Sequence, residues 1–183
     1  GRLLERTLGN GVQTSNIYNS WTSQGGRLQS TSSTTNLTPA ATWQNLEYSY
    51  DTNGNLSTIQ DTIANETLNY TYDVLDRLTG VSGAYSQIYG YNAATGNLEN
   101  KAGQTLIYTD TAHPHAATGM GNNIYTYDAN GNMTSRQISS GTYTLNYDAE
   151  GRLVGISGGG MTAAYTYNGD GERVKAVITI GSD

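Results

Sequence analysis

The sequence predicts an all-β fold in which tandem β-hairpins stack edge to edge into a twisted, spiralling antiparallel sheet. Three observations carry that expectation. An aromatic-x-Tyr-acid/amide motif recurs roughly every twenty residues, a glycine-bearing turn follows it in phase, and the composition is rich in Gly, Thr, Asn and Ser.

The motif occurs as Tyr48-Ser49-Tyr50-Asp51, Tyr70-Thr71-Tyr72-Asp73, Tyr89-Gly90-Tyr91-Asn92, Tyr125-Thr126-Tyr127-Asp128, Leu145-Asn146-Tyr147-Asp148 and Tyr165-Thr166-Tyr167-Asn168. A degenerate copy, Ile107-Tyr108-Thr109-Asp110, fills the one gap. With the second aromatic slot at 50, 72, 91, 109, 127, 147 and 167, successive steps are 22, 19, 18, 18, 20 and 20 residues. Turn pairs follow in phase: Asn53-Gly54, Asn130-Gly131, Glu150-Gly151 and Asp170-Gly171, with Thr95-Gly96 one residue later. Glycine supplies the positive φ of short hairpin turns. The second copy carries Asp76-Arg77 where the others carry Gly, which leaves its turn less defined. Six residues beyond the core tyrosine stands Leu56, Leu78, Met133 or Leu153, and in the last copy Arg173.

Each copy reads as one β-hairpin. Alternation in Tyr125-Thr126-Tyr127 places both rings on one face and Thr126 on the other. The Leu or Met of the return strand then lies beside the second ring. A lone hairpin is marginal in water, so stability is expected to come from stacking neighbours. Fifteen tyrosines, two tryptophans and no phenylalanine imply a thin, layered, partly wet core, because each buried phenol needs a hydrogen-bond partner.

Residues 1–45 are read as irregular N-terminal repeats ending in a Ser/Thr-rich connection, and 46–183 as the regular array. Gly1-Arg2-Leu3 looks like the second half of a hairpin. Ile17-Tyr18-Asn19 followed by Gly26-Arg27-Leu28 forms another unit with a stretched loop. Ser30 to Thr42, containing Pro39, is taken as the connection. Sustained helical periodicity is absent.

Charge excludes some classes of function. Nine Lys plus Arg against fifteen Asp plus Glu give a net charge of −6, without the basic patch that nucleic acid requires. No apolar run reaches the roughly 18–20 residues of a membrane-spanning helix. The absence of cysteine removes disulfides and thiolate metal sites, and the start at Gly1 suggests a mature product or a piece of something longer.

Segments 125–136 (Tyr-Thr-Tyr-Asp-Ala-Asn-Gly-Asn-Met-Thr-Ser-Arg) and 145–154 (Leu-Asn-Tyr-Asp-Ala-Glu-Gly-Arg-Leu-Val) resemble the YD repeats of the RHS (rearrangement hotspot) family. Leu8-Gly9-Asn10-Gly11-Val12, the His113-Pro114-His115 insert and Gly169-Asp170-Gly171-Glu172-Arg173-Val174 are similar to bacterial members. The resemblance covers nearly the whole chain. It implies a spiralling β-sheet that closes into a hollow shell. In bacterial RHS proteins and the C component of insecticidal toxin complexes, that shell encloses a C-terminal toxin. In animal teneurins a similar barrel belongs to an adhesion ectodomain. The self-cleaving core that plugs many such shells is absent here, as is a toxin domain. Seven to nine repeats are expected to be too few to close a shell alone, leaving a fragment of a longer protein or a strip that meets other copies.

Asp51-x-Asn53-Gly54-Asn55 and Asp128-x-Asn130-Gly131-Asn132 mimic calcium loops, but glycine stands fourth rather than sixth and no Glu stands twelfth. They are read as Asx-type turns. His113 and His115 lack an evident third ligand, and a packed or solvated loop is the expected setting. Asp73 and Asp76 look paired but belong to a turn. The sequons Asn36-Leu37-Thr38 and Asn69-Tyr70-Thr71 are attributed to composition. No cysteine nucleophile, Gly-x-Ser-x-Gly elbow or His-Glu-x-x-His motif exists. No residue is assigned a catalytic, cofactor-binding or metal-ligating role, and no cofactor is expected.

The expected function is therefore a non-catalytic wall segment of a large secreted or surface RHS-type protein, with an encapsulated toxin domain or neighbouring repeats as partner. A fibre self-assembling through strand edges, with the apolar run Val174 to Ile180 as one edge, is the alternative. A glycan-binding or adhesive module, using exposed Tyr and Asn, is the third. Nucleic acid and a membrane span are not expected, and the location is extracellular or at the cell surface.

Overall fold

β-Branched and aromatic residues alternating with small polar ones suit a pleated surface with one covered face, and strands follow wherever that pattern runs. The computed structural model describes residues 2–35 and 39–181, so Gly1 and the sequon at 36–38 lie outside the described residues. It contains seventeen strands and one four-residue helix. The chain divides into two compact units, Gly1–Gly90 and Tyr91–Asp183.

From the first unit to the boundary at Tyr91, β1 (Glu5–Thr7), β2 (Val12–Tyr18), β3 (Leu28–Thr35), β4 (Ala41–Tyr50), β5 (Leu56–Asp61), β6 (Glu66–Tyr72), β7 (Leu78–Gly83) and β8 (Gln87–Tyr91) follow as an antiparallel meander. Helix α1 (Trp21–Gln24) occupies the β2–β3 connection, with Ser20 as N-cap and Gly25 in the left-handed region as C-cap. This is the stretched hairpin expected around Tyr18, which pairs with Leu28. The Ser/Thr-rich segment departs from expectation. Residues Ser30 to Thr35 are strand, held between β2 and β4, rather than a connection. Their threonines and serines are half-buried except Thr35, which is buried. Short side chains on a half-covered sheet satisfy strand geometry without an apolar alternation.

In the second unit, β9 (Leu98–Lys101), β10 (Gln104–Ile107), β11 (Gly119–Met120), β12 (Asn123–Tyr127), β13 (Met133–Ile138), β14 (Gly141–Tyr147), β15 (Leu153–Gly158), β16 (Met161–Tyr167) and β17 (Arg173–Ile180) form a second antiparallel meander. The degenerate copy behaves differently from its regular neighbours. Strand β10 stops at Ile107, and Tyr108 opens a long loop to β11.

Six hairpins carry the same irregularity. Ser49 pairs with Thr58, then Tyr50 with Leu56, skipping Ser57. The same slip gives Tyr72–Leu78, Tyr127–Met133, Tyr147–Leu153, Tyr167–Arg173 and Tyr18–Leu28. Except in the Tyr18 hairpin, whose helix lengthens the connection, the residue six places beyond the tyrosine is thus its direct partner, and one extra residue on the return strand forms a β-bulge.

The sheets have little core in the usual sense. Val81 and Ala163, each 5% exposed, are the buried hydrophobic residues among those described, and no side chain falls below 2%. The tyrosine face is half-buried and the threonine face exposed, as in the alternating pattern of β14. Order must therefore come from in-plane bonding and backbone fit. Gly158 shows how tight that fit is. With φ at 138°, a Cβ there would overlap the Thr142 carbonyl oxygen on the paired strand. Gly158→Ala is expected to destabilise the protein by about 3 kcal/mol, read from the urea unfolding midpoint. An unchanged midpoint would show that the backbone yields there.

Candidate functional site

The repeated chemistry lies where each tyrosine strand enters its turn. The half-buried phenol cannot leave its hydroxyl unpaired without cost. It donates to a backbone carbonyl belonging to the preceding return strand or its entry. Tyr50 reaches Leu28 at 2.7 Å, Tyr72 reaches Leu56 at 2.8 Å, and Tyr167 reaches Leu153 at 2.8 Å. Tyr127 reaches Ala117 at 2.6 Å, and Tyr18 reaches Leu3 at 3.1 Å. Leu3 thus plays a return-strand part, as its sequence position implied. In the degenerate copy Tyr108, not position 109, takes the role, donating to Leu98 at 2.9 Å. The Tyr147 hydroxyl makes no such bond. Burial raises the phenol pKa of Tyr50, Tyr72, Tyr108 and Tyr127, so these groups stay protonated donors.

The acid or amide after each tyrosine shapes the turn. Asp128 Oδ1 accepts from the N–H groups of Asn130 and Asn132, both at 2.9 Å. Its Oδ2 accepts from Asn132 Nδ2 at 3.0 Å. Asp148 repeats this with Arg152, whose Nε donates at 2.8 Å, and Asp73 with Arg77 at 2.7 Å. In the last copy the polarity reverses. Asn168 donates from Nδ2 to Glu172 Oε2 at 3.1 Å while its Oδ1 accepts from the Glu172 N–H at 2.9 Å. The pair is fixed in geometry but exchangeable in charge, a signal present in the sequence at positions four apart.

The carboxyl groups titrate low as a result. Side-chain donors from Arg77 and Asn132 lead for Asp73 and Asp128, and the Arg152 N–H leads for Asp148. For Asp51 burial pushes upward, and the Asn55 N–H and amide outweigh it. The calcium-loop resemblance thus resolves into carboxylates committed to their own turns. No group of three His, Cys, Asp or Glu side chains suited to a metal occurs among the described residues.

Neighbouring turns are tied to one another. Asp76, at the left-handed φ of 58°, occupies the position glycine takes elsewhere, so the uncertain second turn is regular. Its Oδ1 accepts from Asn53 Nδ2 at 2.9 Å and Asn55 Nδ2 at 2.7 Å, both on the preceding turn. Arg27 lies over the Tyr50 ring at 5.6 Å, and its guanidinium fills the space beside Gly54. Arg2 sits between Tyr18 and Trp21, at 5.0 and 4.2 Å. Neither arginine was singled out from sequence, since stacking on a distant ring leaves no local motif.

The histidines lie in the loop between β10 and β11. His113 Nδ1 bonds Asp110 Oδ2 at 2.9 Å, and the ring edge rests against Gly131. His115 Nδ1 meets Asn97 Oδ1 at 2.7 Å, while Asn97 Nδ2 donates to the Pro114 carbonyl at 2.8 Å. The two rings thus bond to separate partners. The Asp110 carboxylate raises the His113 pKa above its ordinary value and is itself lowered. A cleft of about 350 Å³ opens beside this loop, lined by Asn97, Glu99, Tyr108, Asp110 and Pro114 among others. The sequon at Asn69 falls within β6.

No family model and no curated protein matches the chain by sequence. Similarity appears among solved structures. A chain of the Photorhabdus luminescens Tc holotoxin pore, in a form with a substituted TccC3, superposes with a TM-score of 0.52 at 13% identity. The match covers 97% of this chain and 12% of that one. Crystal structures of TcdB2-TccC3-Cdc42 and TcdB2-TccC3 match over 97% and 98% of this chain and 14% and 11% of theirs. Identities are 14% and 15%, with TM-scores of 0.39 and 0.41. The stacked-hairpin fold class is borne out by the first superposition, and with it, at the level of fold, the resemblance to the RHS/YD-repeat family.

Removing one phenol hydroxyl leaves a carbonyl short of its donor. Tyr50→Phe is expected to cost about 1 kcal/mol in urea unfolding, and no change would mean the bond contributes nothing. Depressed carboxyl values stabilise the fold above the unfolded Asp value of about 3.9, and this is lost as pH falls through the lower folded values. The thermal midpoint by circular dichroism is therefore expected to fall below about pH 4. His113 acts oppositely: its anchoring of the loop weakens as pH rises through its raised value. For the polarity swap, Asp148→Asn sets amide against Arg152 Nε and lowers the midpoint. Adding Arg152→Glu, the arrangement of Asn168 and Glu172, is expected to recover part of that loss. Independent, additive losses would contradict the pairing.

Proposed function

We propose that this chain is a non-catalytic wall segment of a larger RHS-type protein, secreted or displayed at the cell surface, whose β-shell encloses a toxin or variable C-terminal domain. The observation that carries the reading is the ladder of tyrosine hydroxyls to preceding carbonyls. It makes each hairpin the template for the next and uses the repeated residues for construction. The fold likeness to part of a Tc holotoxin chain supports it, with this chain spanning 12% of that length. The turn carboxylates support it too, being committed to local backbone rather than converging on a reacting centre. No helix among the described residues is long and apolar enough to cross a membrane.

The test is protection of cargo in the full-length gene product. Limited proteolysis of the intact particle is expected to leave a downstream domain uncut until the repeat region is unfolded, with electron microscopy showing a closed β-wall around it. A downstream domain cleaved as fast in the intact particle as when isolated would contradict encapsulation.

One observation favours a second reading, a structural protein self-assembling into fibres. All eight residues of β17 are exposed, including Val174, Val177, Ile178 and Ile180. Apolar strand surface of that kind invites pairing with another copy. Concentration-dependent filaments of the purified chain would favour this reading, and a monomer at high concentration would exclude it.

A further inference from the structure

Four asparagines in the chain precede glycine: Asn10, Asn53, Asn130 and Asn168. Glycine leaves the following backbone nitrogen unhindered, so each pair is chemically open to attack of that nitrogen on the asparagine side chain. The structure separates the four by what their side chains are doing. Asn168 is held at both ends, its Nδ2 donating to Glu172 and its Oδ1 accepting from the Asp170 and Glu172 N–H groups. Asn53 Nδ2 is tied to Asp76 on the neighbouring turn at 2.9 Å. Asn10 Oδ1 accepts from the Val12 N–H at 3.2 Å. Asn130 is exposed, and its side chain makes no hydrogen bond among the described residues.

The turns around Asn53 and Asn130 are otherwise the same. Gly54 N–H donates to the Asp51 carbonyl at 3.1 Å, and Gly131 N–H donates to the Asp128 carbonyl at 3.0 Å. Both glycines have a left-handed φ, 91° and 84°. The nucleophile is restrained equally, and the electrophile is restrained in only one of them. We infer that Asn130 is a site of spontaneous deamidation in the folded protein, and that the Asp76 clamp protects Asn53 from the same reaction.

The chemistry balances within the chain and water. The Gly131 nitrogen attacks Asn130 Cγ, the N–Cγ bond forms, and the Cγ–Nδ2 bond breaks. Ammonia leaves with the proton lost from the glycine nitrogen, closing a five-membered succinimide. Water then opens the ring at either carbonyl, giving aspartate or isoaspartate. Either product places a new carboxylate on the turn against which His113 rests, beside Asp128. Isoaspartate also adds a methylene to the main chain of a turn closed by the Asp128 N–H to Asn132 carbonyl bond of 2.9 Å. The modification thus alters the seat of the histidine loop.

Peptide mapping by mass spectrometry after incubation at mildly alkaline pH tests this on the full chain. Conversion at Asn130 is expected to run about three- to tenfold faster than at Asn53, the range one net hydrogen bond provides. Asp76→Gly removes the clamp while suiting the left-handed backbone there, and is expected to bring Asn53 up toward the Asn130 rate. In denaturing urea Asn53 and Asn130 should convert at similar rates. Equal rates at Asn53 and Asn130 in the folded protein would overturn the inference. So would an Asn53 rate unmoved by Asp76→Gly, or a folded-state ordering that persists in urea.

Discussion

The structure depends on one recurring hydrogen bond, from a half-buried tyrosine hydroxyl to a carbonyl of the hairpin before it. Sheets with almost no fully buried side chain among the described residues cannot rely on a hydrophobic centre. Tyrosine meets this constraint because its ring covers the half-wet face while its hydroxyl supplies a directed bond. The β-bulge is part of the same device. By adding one residue to each return strand, it sets the Leu or Met directly opposite the ring, with that residue's carbonyl in several copies accepting from the next phenol. Repeats are then joined by sheet pairing and by this second bond near the turn, so stability is a nearest-neighbour property of the stack.

The turns carry a second layer of coupling. Within a turn, the residue after the tyrosine and the one four places on form a donor–acceptor pair whose charge can be exchanged. Asp with Asn, Asp with Arg and Asn with Glu all occur. Between turns, Asp76 adopts a left-handed conformation that an acidic side chain takes less readily than glycine. Two bonds to the preceding turn offset that strain. In the second unit, the turn at Gly131 seats the ring of His113. Architecture and local chemistry therefore share a set of residues.

Much of this was legible in the sequence because the repeat multiplies a weak local signal. The hairpins, the alternation of Tyr and Thr, the glycine turns and the Asx role of Asp51 and Asp128 follow from spacing. The return-strand residue six places on was visible too. What escaped lies between repeats or against a local trend. Ser30 to Thr35 lacks apolar alternation, so pairing on both sides was invisible until β2 and β4 were placed. Tyr108 rather than Thr109 serves the degenerate copy, because its bond to Leu98 ignores the motif's numbering. The Asp76 clamp and the Arg27 stack join residues more than twenty positions apart. No single window of sequence contains both partners.

The most direct measurement is native-state hydrogen exchange on Tyr72→Phe. Tyr72 lies on β6, and its hydroxyl donates to Leu56 on β5, in the hairpin before its own. If that bond couples repeats, amide protection should fall in both β4–β5 and β6–β7, strongest around Leu56. Loss confined to β6–β7, or protection unchanged throughout, would contradict the claim that the tyrosine ladder holds the stack together.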